Sequence, residues 1–452
     1  MLAAALLMLA TCSEVVLGSL VAQSVSVTKS GDFFEVVCVG GDERAAELAL
    51  AVIEPVWPST CAAFGVRGVR PKELLRVTLY HDVEDYLRAD RRLTGGNFQP
   101  NQAMSHWSTK SAHVAMQPSV NVSYIEQFGL PMQTQAMLAW EACHIARFEL
   151  CPNFRAHPGW FQDGLAAAVA QDVLVKARPM RGEQPFFAQR WWRVRRLAER
   201  GRLPTASQLL GDKTQDLDMR NRYAARLTFF EFVRRDYAAR LVRLAKVIRA
   251  TVAGTAYAGI IRAAAVQELG GLGEEFREHV LAQRPQWDER SRSLWCDGAT
   301  WYQAAFAKTD AVGFRAEPVR GDRFKAKGTV WIHPGETQQM NFLFARTDKG
   351  WYSLAITAGR GFTLIEHQGG GNQRRVVGTG TAPGCRAGVD VPFSVRANGT
   401  DLEVGLATQS WKFALSEPLP DEVYWGVGAQ AGMGDTATGS CGVWRDVSVY
   451  GK

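Results

Sequence analysis

The residues best placed to carry chemistry lie in two short segments of the chain. The first reads Trp140-Glu141-Ala-Cys-His144, and in the second Asp163 is followed by Gly-Leu-Ala. Residues four apart share one face of a helix, so an H-E-x-x-H pattern lets two imidazoles hold one Zn²⁺ while the glutamate polarises a bound water. Here Trp140 stands at the first histidine position. His144 is therefore a candidate metal ligand, and Glu141 is the candidate general base.

The region from about 25 to 285 resembles the gluzincin-type, peptidase MA-like domains of exported bacterial proteins. The likeness rests on order as well as on motif. An αβ lobe with a candidate edge strand at Ala112–Gln117 precedes the motif helix, and the acid-Gly-Leu-Ala helix and further helices follow. The resemblance implies a peptide or protein ligand in the cleft and a zinc cofactor. By position, it implies Glu141 as general base, His144 and Asp163 as zinc ligands, and Tyr223 as stabiliser of a tetrahedral oxyanion.

Trp140 decides how much of that activity the chain inherits. A catalytic zinc site uses three protein ligands and a water, whereas His144 and Asp163 supply only two. An indole at this position also fills the metal cavity, and Asp in place of the family's usual Glu shortens the reach by ~1.5 Å. His157 and Cys143 are the nearby substitutes, but Cys143 lies about 100° around the helix from His144.

We therefore expect a catalytically impaired gluzincin homologue, a pseudoenzyme that holds no zinc and binds an extracellular or envelope partner. Two alternatives stay open. One is an active zinc peptidase with altered ligation, in which Glu141 is the base and a further ligand joins His144 and Asp163. The other is a glycan-binding protein that acts through its C-terminal domain.

Hydrophobic periodicity predicts a multidomain α+β fold around these motifs. Phe33–Cys38 has strand character, Leu75–Tyr80 alternates like a strand, and the spacing at Ala45–Val56 is helical, which together predict an αβ lobe. From Met132 to about Gln286 the pattern is helical, with long runs such as Ala224–Ala250. The lobe and these helices make up the predicted gluzincin-like domain, 24–287.

After Trp287 the sequence turns to short alternating runs between turn residues, which predicts an antiparallel β-sandwich. The segments Tyr424–Gly432 and Val443–Tyr450 resemble concanavalin A-like or laminin G-like jelly-roll sandwiches. We place a boundary at 288–319 and the sandwich at 320–452. No closely spaced acids of the glycosidase type occur there, which favours binding over hydrolysis. Four tryptophans either stack on sugar rings or, as we favour, mostly pack in the core: Trp331, Trp351, Trp411 and Trp425.

Composition excludes several other classes of function. The chain has 452 residues, 46% of them hydrophobic, which is ample for two or three cores. Its net charge of +7 is spread through a chain that is only 21% charged, so nucleic-acid binding is not indicated. In the basic stretch Arg190–Arg196, arginines alternate with tryptophans, a pattern typical of a helix with one buried and one solvent-exposed face. The sequence contains no G-x-S-x-G, Walker-type or C-x-x-C motif.

The N-terminal segment, 1–23, reads as an export signal, since its apolar run is too short and interrupted for a membrane span. We expect a secreted or cell-envelope protein without a transmembrane helix in the mature chain, and Cys12 is a candidate lipid-attachment site. Loss of Cys12 leaves seven of the eight cysteines, so they cannot all pair. Proximity suggests Cys143–Cys151 and Cys385–Cys441 as disulfides of an oxidising compartment.

Overall fold

The fold is known from a computed structural model. It describes residues 25–98, 103–116, 125–126, 129–151, 153–177, 185–211, 213–251, 257–288, 294–297, 300–304, 311–321, 323–334, 339–347, 349–368, 373–429 and 441–451. The predicted export signal and Cys12 lie outside these residues. None of the helices in these ranges combines the length and apolar character that a membrane span requires.

The N-terminal lobe is a mixed sheet with helices against it. Its order is β1-β2-β3-β5-β4, with β2, β3 and β5 parallel and the two outer strands antiparallel. Alternate residues of β2 point into the core, as the sequence predicted. The elements are β1 Ser26–Ser30, β2 Phe34–Val39, α1 Glu43–Ile53, α2 Val56–Ala63, β3 Leu75–Tyr80, α3 Val83–Thr94, β4 Ala103–His106 and β5 Ser111–Ala115.

The predicted edge strand is an interior strand. The segment expected at Ala112–Gln117 forms β5, which pairs with β3 on one side and β4 on the other. All five residues of β5 are buried, which suits a strand with neighbours on both sides. The edge is β4, whose last two residues are only partly buried. Gln117 lies outside the described residues.

A helical region follows the lobe and contains the motif segments. The long run predicted at Ala224–Ala250 is two helices, because the backbone leaves helical geometry at Tyr237, with φ −133°. The helices are α4 Met132–Leu150, a 3₁₀ turn Phe154–Ala156, α5 Gly159–Ala177, α6 Pro185–Glu199, α7 Ala206–Leu210, α8 Met219–Asp236, α9 Ala238–Ala250, α10 Tyr257–Leu269 and α11 Gly273–Ala282. Helix α5 packs against both α4 and α8.

The C-terminal part is an antiparallel β-sandwich, as predicted. One sheet has the order β17-β16-β15-β10-β19-β7-β6, and the other has the order β14-β13-β12-β11-β18-β8, with β9 also paired to β18. The strands are β6 Leu294–Asp297, β7 Thr300–Ala304, β8 Ala311–Phe314, β9 Val319–Arg320, β10 Arg323–Ile332, β11 Gln339–Arg346, β12 Gly350–Thr357, β13 Gly361–Gln368, β14 Gln373–Gly380, β15 Asp390–Asn398, β16 Asp401–Leu406, β17 Gln409–Ala414, β18 Glu422–Ala429 and β19 Cys441–Gly451. Strands within the predicted boundary 288–319 therefore already pair in these sheets.

An αβ lobe, a helical region and an antiparallel sandwich thus make up the fold, which confirms the predicted fold class. The lobe and the helices share one hydrophobic core, and a second core fills the sandwich. Trp331 and Val443, on the outer face of the sandwich, pack into the first core, so the two parts are in contact.

The suggested disulfides do not form among the cysteines whose side chains are described. Cys143 and Cys151 are free thiols. Both belong to α4 or its C-terminal cap, so eight residues at 1.5 Å each put them about 12 Å apart along the axis, beyond the ~7 Å limit for a disulfide. Cys385 is also a free, buried thiol, and the side chain of Cys441 is outside the described set.

Candidate functional site

Helix α4 carries the motif residues and presents Glu141 to the interior. Glu141 is 8% exposed, and Ser105 on the edge strand β4 hydrogen-bonds its carboxyl group. The pKa of Glu141 is raised to about 8, mainly by burial and in smaller part by the nearby carboxylate of Asp163, against the hydrogen bond from Ser105. At neutral pH the Glu141 carboxyl is therefore mostly protonated.

His144 has a guanidinium partner on its own helix. Nη2 of Arg147 lies 3.4 Å from Nδ1 of His144. Burial and then the positive charge of Arg147 lower the pKa of His144 to about 3, so the ring is neutral. Arginine has only donors, so Nδ1 must accept, and the single ring proton then sits on Nε2. Nε2, the ring nitrogen of His144 that Arg147 does not contact, therefore carries the proton and has no lone pair to offer a metal.

The same guanidinium also binds His157, which the sequence suggested as a substitute ligand. Nη1 of Arg147 lies 3.2 Å from Nδ1 of His157, and Nε2 of that ring lies 3.2 Å from the hydroxyl of Tyr257. Burial lowers the pKa of His157 to about 3. Both ring nitrogens therefore have hydrogen-bond partners. Arg147 is 2% exposed and also donates to Gln162 at 3.0 Å, so it joins α4 to the start of α5.

Asp163 on α5 faces helix α8. Its Oδ2 lies 3.5 Å from Nη1 of Arg226, and both side chains are largely buried, at 15% and 17% exposed. The Asp163 carboxylate, followed by burial, raises the pKa of Tyr223 to about 12. The Tyr223 phenol therefore stays protonated and can donate a hydrogen bond from a side chain that is 41% exposed. Glu141, Asp163 and Tyr223, which the family resemblance assigned to one site, lie close enough for their charges to interact.

These residues do not fit a zinc ion. An indole has no lone pair to offer at position 140, Nδ1 of His144 accepts from Arg147, and Asp163 is paired with Arg226. Among the described residues, no group of three His, Cys, Asp or Glu side chains is arranged to hold a metal ion.

Trp140 forms one wall of a small cavity beside the motif. Its indole meets the His144 ring edge to face, with centroids 6.1 Å apart at 69°. The guanidinium of Arg190, on α6, lies 5.7 Å from the indole centroid on the other side of the cleft. The cavity has a volume of about 280 Å³. Its lining comes from α4, α6 and α8: Met137, Trp140, Gln189, Arg190, Arg193, Arg220, Tyr223, Ala224 and Leu227.

A second candidate site lies on the outer face of the sandwich. Backbone register places one residue from each of five adjacent strands side by side, from β19 through β10, β15 and β16 to β17. Their side chains point away from the core, because the residues on either side of them in each strand pack inward. We call this set the cross-strand row: Tyr450, Lys325, Arg396, Glu403 and Lys412. It borders a cavity of about 750 Å³.

The aromatic side chain of the row is a tyrosine that sequence reasoning did not single out. Tyr450 is 54% exposed, whereas Trp331 and Trp425 are buried, and Trp351 and Trp411 are partly buried. The position of Tyr450 in the alternating run that closes the chain was the available signal, because in a strand next to a core every second side chain faces outward.

Three further residues of the helical site were also missed. Arg147 follows His144 by three positions, which is a signal of a shared helix face. Arg226 and Ser105 lie on elements distant in sequence, and nothing in the motif points to them. Their roles depend on packing between helices and on sheet order, which spacing does not encode.

No protein-family model and no curated protein matches this chain. Among solved structures, it is similar to the carbohydrate-binding module CBM66 from Bacillus subtilis, with 13% identity and a TM-score of 0.28 over 33% of this chain and 86% of that one. The exoplasmic/lumenal domain of VIP36 in a Ca²⁺/Man3GlcNAc-bound form has 13% identity and a TM-score of 0.29 over 38% of this chain and 85% of that one. The carbohydrate recognition domain of Emp46p has 8% identity and a TM-score of 0.28 over 37% of this chain and 89% of that one. The coverage is consistent with the sandwich, and a likeness at this level carries no argument about what this chain binds.

Proposed function

We propose that the protein binds carbohydrate through the cross-strand row of its sandwich. The observation that carries this is the exposed ring of Tyr450 beside a continuous line of hydrogen-bonding side chains. An aromatic face can pack against the C–H face of a sugar ring, while charged and amide groups bind its hydroxyls. Five strands at ~4.8 Å spacing make the row about 19 Å long, enough for an extended chain of several sugar rings.

The charge on this surface favours an acidic carbohydrate. Four cationic and two acidic side chains line the cavity along the row: Arg323, Lys325, Arg396, Lys412, Asp401 and Glu403. Glu403 lies 3.6 Å from Arg396, so part of the negative charge is already compensated. A surface with excess positive charge attracts polyanions, and this attraction weakens with salt.

The test is binding of the full chain to polygalacturonate and heparin, with neutral dextran as the comparison. Tyr450→Ala should weaken binding to the acidic polymers about tenfold, in line with loss of one packed aromatic ring. Tyr223→Ala, which removes an exposed tyrosine from the helical region, is the matched control and should leave binding unchanged. Absence of binding to all three polymers would refute the proposal, as would equal affinity of the Tyr450→Ala variant and the parent.

We also propose that the helical cleft descends from a gluzincin-type peptidase and binds a protein or peptide without cleaving it. The support is the pairing of His144 with Arg147 and of Asp163 with Arg226, beside Trp140 at the first ligand position. An export signal at 1–23 would place both sites outside the cytoplasm. Release of the mature chain into the medium or envelope fraction, checked by its N-terminal sequence, tests that placement.

Metal content separates this proposal from an active peptidase. After dialysis against trace zinc, the parent should hold no stoichiometric zinc by mass spectrometry, whereas Trp140→His should retain more. About one zinc per parent chain, with peptide cleavage that Glu141→Gln abolishes, would establish the active alternative instead.

A further inference from the structure

The cavity next to Trp140 has the chemistry of an anion site. Of the described residues that line it, three are arginines and none is acidic. Arg190 and Arg193 come from one face of α6, and Arg220 comes from the start of α8, so two helices bring guanidinium groups to one space.

Arg190 is charged at neutral pH. Burial lowers the pKa of Arg190 to about 10, against the raising effect of Glu231 and Asp163, and a group with that pKa still carries its proton. Burial raises the pKa of Glu231, a carboxyl group that lies close enough to Arg190 for their charges to interact. The protonated Tyr223 phenol adds one neutral donor at the rim.

Apart from the amide of Gln189, the rest of the described lining is apolar. Met137, Leu227 and the Trp140 indole provide a surface without hydrogen-bonding demands, apart from the indole N–H. The volume, about 280 Å³, is close to the ~300 Å³ at which small-molecule pockets begin. The space therefore suits one residue-sized group that joins an anion to an apolar body.

We propose that this cavity binds a carboxylate carried next to an apolar side chain, from either a peptide C-terminus or an acidic residue. The planar forks of Arg190, Arg193 and Arg220 match carboxylate oxygens in pairs, which an ammonium group does not do. The apolar neighbour packs on Trp140. The assignment is separate from carbohydrate binding, and it rests on the proposal that the helical cleft binds peptides without cleaving them.

The test uses calorimetric titration of the full chain with three peptides. They are N-acetyl-alanyl-alanyl-leucine with a free carboxylate, its C-terminal amide, and N-acetyl-alanyl-glutamyl-leucinamide. We expect the free acid to bind at least tenfold more tightly than the alanyl amide, because an arginine–carboxylate pair is a strong charge-assisted contact. Tight binding of the glutamyl amide would identify an acidic side chain as an accepted source of the carboxylate, and weak binding would restrict the site to chain termini.

Two variants connect the effect to the cavity. Arg220→Gln changes an exposed residue at the rim and should reduce affinity for the free acid at least fivefold without changing affinity for the amide. Arg200→Gln removes an equally exposed arginine just beyond α6 and is the control, with no expected change. Equal affinity for acid and amide would overturn the carboxylate assignment while leaving peptide binding in the cleft intact. Failure of all three peptides to bind would overturn both.

Discussion

The protonation state of Glu141 makes a quantitative prediction about stability. Its pKa in the folded protein is about 8, because burial and the Asp163 carboxylate disfavour the charge. The unfolded chain returns it to about 4.3. Between these values the folded state binds a proton that the unfolded state lacks, so the stabilisation present below the unfolded pKa is lost as pH rises towards 8.

Substitution of Glu141 by Gln removes this pH dependence, because the amide is neutral in both states and nearly the same shape as the protonated acid. The free energy of unfolding of the variant relative to the parent should therefore rise by about 1.4 kcal/mol per pH unit between about pH 5 and 8. From about pH 5.5 to 7.5 the accumulated difference is on the order of 3 kcal/mol. Above about pH 8 it should level off.

Urea unfolding followed by the helical circular dichroism signal measures this difference at each pH. Glu149→Gln, on the same helix, is the control. Burial acts to raise the pKa of Glu149, but bonds from Lys110 and Lys72 prevail and hold it below its usual value. Glu149 is thus ionised in both states across the window, and its variant should differ from the parent by a constant amount. A flat difference for Glu141→Gln as well would mean that Glu141 is ionised in the fold and would refute this description of the site.

Further substitutions test the packing of α5 and its ion pair with α8. A Cβ added at Gly164 would lie 2.3 Å from Cβ of Phe230, so Gly164→Ala should destabilise the fold by at least ~1–3 kcal/mol in urea unfolding. Gly259→Ala meets nothing within 4 Å and should stabilise by ~0.5–1 kcal/mol, so destabilisation there would argue against the steric explanation. Arg226→Met should cost roughly 3 kcal/mol by leaving the Asp163 carboxylate without this partner, and adding Asp163→Asn should recover most of it in the same assay. No recovery in the double variant would show that the pair is not the cause.

The fold was predictable wherever a single face of an element is buried. Alternation predicted sandwich strands such as Asp401–Leu406 because a residue's side of the sheet follows directly from its position in the strand. Sheet order was not predictable, because β5 and β4 differ only in which has a neighbour on both sides. The break at Tyr237 was hidden, since neither Gly nor Pro marks it.

The candidate site was predictable only where spacing along one helix decides it. Glu141 and His144 share α4, whereas Asp163 was assigned from the family resemblance and lies on α5. The guanidinium partners come from the other helices or from a position that the motif does not include. A buried carboxylate is costly unless a cation pairs with it, but sequence alone does not say which arginine forms the pair.

Under the proposed descent from a zinc site, Trp140 is one part of a wider change in the charges around α4 and α5. Buried carboxylates need a nearby cation, which a metal site provides in the metal itself. Here Arg226 pairs with Asp163, and the Asp163 carboxylate also interacts with the charges of Arg147 and Arg190. Glu141 needs no cation because its carboxyl group is protonated. A histidine at position 140 would add a ligand but leave the guanidinium groups of Arg147 and Arg226 in place. Zinc would then have to displace Arg226 from Asp163 and move the Nε2 proton of His144, so the metal affinity of Trp140→His should stay well below that of an intact three-ligand site.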